Sequence, residues 1–139
     1  VRFIAKLARR KQAASVAVTV VTVDDQAVFR AAARDVIEAT PGFESVGEAE
    51  SCEEALSVLG DVQPRLALVD VRMPGVDGIE TAMRIREQHP NVVVVLISIE
   101  DTSRIPSTFP DAGAAALVRK QDFCPAMLRE LWESHGRPG

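Results

Sequence analysis

The feature that most limits what this chain can fold into is the alternation of two periods along it. Five short runs read as strands: Val16–Val23, Phe43–Ala49, Leu66–Asp70, Val92–Ser98 and Ala115–Val118, the first and fourth dominated by β-branched residues. Between and after them the apolar positions recur at three and four. From Gln26 to Ala39, Val28, Phe29, Ala32, Ala33, Val36 and Ile37 keep helical spacing until Thr40-Pro41-Gly42 stops it. Cys52–Leu59, a segment from Asp77 or Gly78 to Gln88, and one from about Pro125 to Glu133 read the same way, the second with Ile79, Ala82, Met83 and Ile85 inward and His89-Pro90-Asn91 closing it. Strands that alternate with helices are joined by right-handed crossovers, which lay the strands parallel and cover both faces of the sheet. The expected fold is therefore α/β, a doubly wound five-stranded parallel sheet.

The 139 residues suit one such domain, and 47% apolar with 26% charged residues excludes a disordered or fibrous chain. Cys52, Cys124, His89 and His135 are too few and too scattered for a disulfide scaffold or a zinc spacing. No apolar run approaches the roughly 20 residues of a membrane helix. The net charge of −4 is unevenly divided, because Arg2, Lys6, Arg9, Arg10 and Lys11 all precede residue 16. The remainder of the chain is net −9, which argues against a nucleic-acid surface. Residues 1–15 read as a basic N-terminal arm with Phe3, Ile4, Leu7 and Ala8 on one helical face, residues 16–134 as the domain, and 135–139 as a tail. The arm is not expected to be a secretory signal, since the apolar run after it ends on Asp24-Asp25 with no small-residue cleavage site.

In doubly wound sheets, ligands bind outside the carboxyl ends of the strands. The residues there are Asp24 and Asp25 after the first strand, Asp70 at the third, Ser98 at the fourth and Lys120 at the fifth. Taken singly, each has an ordinary explanation as a solvated loop residue, a helix cap or a turn residue. Together they form a chemistry. Three carboxylates in one crevice repel each other unless a hard divalent cation lies between them, and magnesium, which favours oxygen donors and phosphate, is the natural candidate. Lys120 and Ser98 offer donors suited to a phosphoryl oxygen.

Val23-Asp24-Asp25, Leu68-Val69-Asp70-Val71-Arg72-Met73-Pro74-Gly75-Val76-Asp77-Gly78, Leu96-Ile97-Ser98 and Lys120 resemble, in that order, the motifs of response-regulator receiver domains. Phe29-Arg30, Pro41-Gly42-Phe43-Glu44, Val46-Gly47-Glu48-Ala49 and Glu54-Ala55-Leu56 are similar to the subgroup that usually precedes a LuxR-type helix-turn-helix. The resemblance implies the flavodoxin-like strand order 2-1-3-4-5. It implies that Asp70 accepts a phosphoryl group from a sensor histidine kinase or phosphotransfer protein. Asp24, Asp25, Asp70 and the backbone carbonyl of Arg72 would hold Mg2+, Asp24 largely through water. Lys120 would pair with Asp70 and then with the phosphoryl group, and Ser98 would hydrogen-bond that group and draw its loop inward. The expected protein is cytoplasmic, has no membrane span and no enzymatic output of its own, and acts as a stand-alone phosphorelay or protein-binding switch on an unknown target. The alternatives are a constitutive interaction module with vestigial phosphorylation and a fragment of a DNA-binding regulator.

Departures from the family sharpen these expectations. Leu117 stands where Tyr or Phe is usual, Ile99 where a small residue follows the Ser or Thr, and Gln121 where Pro commonly follows the lysine, so no cis peptide is expected there. Arg72 and Glu100, each two residues beyond a site residue, are expected to face each other across the crevice mouth and slow hydrolysis. Pro106 and Pro110 lie four apart in the crossover from Glu100 to Gly113, which predicts a short turn or mobile loop in place of a fourth helix and a mainly monomeric protein.

Overall fold

The computed structural model describes residues 17–99 and 113–136. The basic arm, the crossover residues Glu100–Ala112 and the end of the tail, to which the arm, gate and fourth-helix expectations belong, lie outside the described residues. Five strands, β1 (Val18–Val23), β2 (Phe43–Ala49), β3 (Leu66–Asp70), β4 (Val93–Ser98) and β5 (Ala116–Arg119), form one sheet in the order β2-β1-β3-β4-β5. Every pairing is parallel. Four α-helices are described, α1 (Ala27–Ala39), α2 (Cys52–Val62), α3 (Gly78–Gln88) and α4 (Pro125–His135), and a 3-10 turn spans Lys120–Asp122.

Burial follows from position in the sheet. Every residue of β3 and β4 is buried, as continuous apolar runs covered on both faces must be, whereas the edge strand β2 is half-buried for most of its length. Alternate strand residues feed two cores. Val21, Val23, Ala67, Val69, Val94 and Leu96 pack with Ala55 and Leu59 of α2 and Ala82 and Ile85 of α3. Val18, Val20, Leu66, Leu68, Val95 and Ile97 pack on the other face with Ala33 and Ile37 of α1 and Leu128 and Leu131 of α4. Each element that reaches the functional edge therefore rests on one of two apolar layers.

The helices begin on sequence signals. Ser51 Oγ accepts from the Glu54 N–H at 3.2 Å and caps α2, an Asp77 carboxylate oxygen accepts from the Glu80 N–H at 2.9 Å and caps α3, and Pro125 occupies the first turn of α4. Two helices run past their expected ends. Helix α2 continues through Gly60 and Asp61 to Val62, because these residues face solvent and Gln63, in the left-handed region at φ 46°, closes the helix with its N–H on the Leu59 carbonyl. Helix α4 reaches His135, where the Gly136 N–H donates to the Trp132 carbonyl at 2.7 Å.

Candidate functional site

The first carboxylates come from the turn between β1 and α1. The Asp24 N–H is tied to the Ala49 carbonyl at 2.9 Å, which carries the chain off β1 in register with the end of β2. Asp24 Oδ1 accepts from the Gln26 N–H at 2.8 Å, so the buried side chain is fixed by the turn that starts α1. Asp25, next to it, is exposed. From the first turn of α1, Arg30 donates to the Asp24 carbonyl at 2.6 Å and pairs with Glu48 of β2 at 3.4 Å, while Arg34 pairs with the other Glu48 oxygen at 2.6 Å. The acidic turn is thus bound to α1 and β2 by groups to which the sequence alone assigns no role.

Asp70 ends β3, where it pairs in register with Ile97 of β4, and the Val71 N–H donates to the Ile97 carbonyl at 2.9 Å. Its carboxylate accepts from the Arg72 N–H at 3.3 Å. Behind it, the Gly78 N–H donates to the Val71 carbonyl at 2.9 Å, bringing the start of α3 against the Asp70-Val71 backbone. A Cβ at position 78 would collide with the Asp70 carbonyl oxygen, so this approach requires glycine.

Carboxylate oxygens of Asp24, Asp25 and Asp70 lie within 4.8 Å of one another. Lys120, at the end of β5, reaches between two of them, its Nζ 2.7 Å from Asp24 Oδ2 and 3.6 Å from Asp70 Oδ2. The ammonium stands nearer Asp24 than the acceptor candidate. It also lies 4.5 Å from the centre of the Phe29 ring of α1, and Phe29 in turn packs against Phe123 with ring centres 6.4 Å apart. Ser98 is buried at the end of β4, one residue beyond the partner of Asp70, and Ile99 beside it is 63% exposed. Helix α1, three strand ends and the start of the 3-10 turn therefore converge on one edge.

Burial, and then the neighbouring Asp24 carboxylate, push the Asp70 carboxyl up from 3.8 to about 6, against the opposing pull of the Lys120 ammonium and the Arg72 N–H. Asp24 Oδ2 is buried and accepts no aligned hydrogen bond, its close neighbour being the Lys120 ammonium. An all-oxygen set of three carboxylates with one such oxygen fits a hard divalent cation, which would supply the missing positive charge.

In the sequence, Phe29 and Arg30 stand out only as part of a family likeness. Their signal is positional, because both fall in the first turn of the helix that follows the acidic pair. Glu48 likewise appears only within the family likeness and Phe123 not at all, since the partners they meet are far away in the chain.

Comparison with known proteins agrees with this architecture. The profile of the response regulator receiver domain matches residues 20–131. Response regulator GacA of Pseudomonas protegens is 32% identical over 103 residues, covering 74% of this chain and 48% of that protein. Response regulator UvrY of Escherichia coli is 29% identical over 103 residues, covering 74% and 47%. The chain spans about half the length of these curated relatives. Among solved structures, the signal receiver domain of the response regulator NarL from Mycobacterium tuberculosis superposes with a TM-score of 0.77 at 30% identity, covering 85% of this chain and 95% of that one. The response regulator domain of Thermotoga maritima CheB shares the fold, with a TM-score of 0.74 at 23% identity over 84% and 95% of the two chains. With its strand order, its edge of acids and lysine and a family profile matching most of its length, this chain belongs to the response regulator receiver domain family.

Proposed function

We propose that Asp70 is the phosphoryl acceptor of this receiver domain, taking the group from a phosphohistidine of a sensor kinase or phosphotransfer protein and holding it as an acyl phosphate. The observation that carries the reading is the convergence of Asp24, Asp25 and Asp70 within 4.8 Å, with the Lys120 ammonium between two of them. An Asp70 carboxylate oxygen attacks phosphorus, the phosphorus–nitrogen bond breaks, and the histidine nitrogen keeps the electron pair and later takes a proton. The nucleophile must be ionised, and Lys120 favours that form against burial and Asp24. Asp24, Asp25, Asp70 and the Arg72 carbonyl would hold Mg2+, which when bound offsets negative charge on the transferring phosphoryl oxygens. Lys120 then neutralises a phosphoryl oxygen and Ser98 donates to another. The rest of catalysis is positioning, provided by strand ends fixed in register.

The output proposed is a phosphorelay or protein-binding switch, acting alone or as the receiver part of a longer regulator like its curated relatives, with no enzymatic step of its own beyond the phosphoryl transfer. No helix among the described residues is long and apolar enough to cross a membrane, and a cytoplasmic place beside the kinase's catalytic side is the consistent proposal. A second reading, a constitutive interaction module, draws support from Ile99, exposed beside Ser98, and from Leu117, half-buried against the core where the family usually has an aromatic ring. One experiment separates the two. Incubation with Mg2+ and acetyl phosphate, followed by intact mass, should add one phosphoryl group to the native chain and none to Asp70→Asn. An unmodified native chain, or equal labelling of the variant, overturns the acceptor assignment.

A further inference from the structure

We infer that Phe29 is a positioning residue, holding the Lys120 ammonium over its ring at the place between Asp24 and Asp70 from which the ammonium acts. The inference deepens the acyl-phosphate reading and rests on it for its kinetic consequence, though not for its geometry. The Lys120 Nζ lies 4.5 Å from the Phe29 ring centre, inside the range in which a ring's negative face attracts a cation. The ammonium therefore has three negative neighbours: Asp24 Oδ2 at 2.7 Å, Asp70 Oδ2 at 3.6 Å and the ring. The lysine side chain is only 10% exposed, so solvent screens these attractions weakly.

A lysine needs such a hold. Its ammonium is a point charge on a flexible four-carbon stem and lacks the preorganised fork of an arginine. Two carboxylates, at 2.7 Å and 3.6 Å, fix only two directions for it and leave the ammonium free to swing about them. The ring adds a third fixed direction. Phe29 is itself fixed relative to Asp24, because Arg30, its neighbour, donates to the Asp24 carbonyl at 2.6 Å and pairs with Glu48. At the other end, Phe29 packs on Phe123, whose N–H closes the 3-10 turn on the Lys120 carbonyl at 3.2 Å. One ring thus touches the tip of the lysine and the residue that closes its backbone turn.

The test compares Phe29→Leu, which keeps apolar bulk without a π face, with Phe29→Tyr, which keeps the ring. Two readouts are needed. In the chelator-treated protein, the ring current should shift the Lys120 ε-CH2 protons upfield by NMR, a shift retained in Phe29→Tyr and lost in Phe29→Leu. With Mg2+ and acetyl phosphate, Phe29→Leu should be phosphorylated about 10-fold more slowly and Phe29→Tyr within about 2-fold of the native rate, the scale of one partly desolvated cation–π contact. In a Lys120→Ala background, Phe29→Leu should slow the reaction no further, because its effect passes through the lysine. Unshifted ε-CH2 protons in the native protein, an unaltered rate in Phe29→Leu, or equal slowing with and without Lys120 would each overturn the inference. A native protein that is never phosphorylated defeats the acyl-phosphate reading instead, and the NMR shift still decides whether Phe29 holds the lysine.

Discussion

Replacing Asp70 with Asn should stabilise the metal-free protein, by an amount whose pH dependence is set by the geometry of the site. Asp70 is 6% exposed. Burial first, then the Asp24 carboxylate and to a smaller degree Asp25, raise its carboxyl from 3.8 to about 6, with Lys120 and the Arg72 N–H pulling the other way. A carboxyl whose pKa is higher in the folded state than in the unfolded one holds more protons when folded between those two values, so stability falls as pH rises through the window. The favourable contribution is complete below about 3.8 and gone once pH has passed about 6. At about 1.4 kcal/mol per pH decade, the ionised carboxylate costs about 3 kcal/mol at pH 7. Asparagine keeps the shape and cannot ionise.

Urea unfolding of both proteins in a chelating buffer, from about pH 4 to about pH 8, measures this directly. The two should be nearly equal at the acid end, and the Asn variant should gain about 3 kcal/mol by neutral pH, on the order of 10 °C in Tm for a domain of this size. Saturating Mg2+ should then stabilise the native chain more than the variant, because binding to the folded state alone adds stability by mass action. A difference that stays flat across the pH range would refute the reasoning, since it would mean that Asp70 ionises as easily when folded as when unfolded.

Gly78→Ala should cost at least about 2 kcal/mol in urea unfolding and slow phosphorylation, because the new Cβ collides with the backbone of Asp70 and Val71, so that α3 or β3 must shift. Thr22→Val should gain about 1 kcal/mol in the same assay, since it replaces a buried hydroxyl that has no hydrogen-bond partner with a methyl of similar shape. Gln63→Gly should gain about 0.5–1 kcal/mol by relieving a left-handed residue at φ 46° at the end of α2, and a loss of stability there would show that the Gln63 side chain matters more than its backbone.

The site was legible in the sequence to the extent that topology alone places residues. Once the strands are parallel and the crossovers right-handed, the residues ending each strand share an edge, and Asp24, Asp70, Ser98 and Lys120 follow without knowledge of any side chain. What topology does not supply is the side from which a helix leans on that edge. Phe29 lies under Lys120, and Arg30 bridges Asp24 and Glu48, through the packing of α1 on its face of the sheet. Gly78 shows the same limit in another form. Its sequence context reads as an ordinary helix start, whereas its reason is contact with the backbone of Asp70 and Val71. Helix α2 outruns its apolar pattern, which stops at Leu59, because solvent-facing Gly60 and Asp61 add no apolar residue yet are tolerated where buried Leu59 anchors the turn.

The distribution of buried polar groups supplies a separate argument for where this chain gives up stability. Among the described residues, Thr22, Asp24, Thr40, Asp70, Thr81 and Ser98 are the buried polar or charged ones. Thr40 and Thr81 are accounted for locally, their hydroxyls donating to the Val36 and Asp77 carbonyls at 2.7 Å one helical turn back. The other four all lie at or beside the carboxyl ends of β1, β3 and β4. Two apolar cores hold the sheet, and neither requires a carboxylate or a hydroxyl at that edge. A fold optimised for stability alone would place apolar residues there, as it does along most of these strands. The concentration of buried polarity at a single edge, with Lys120 as a nearby positive charge, therefore costs stability there, and under the proposed function a bound cation and phosphoryl group would offset that cost by mass action.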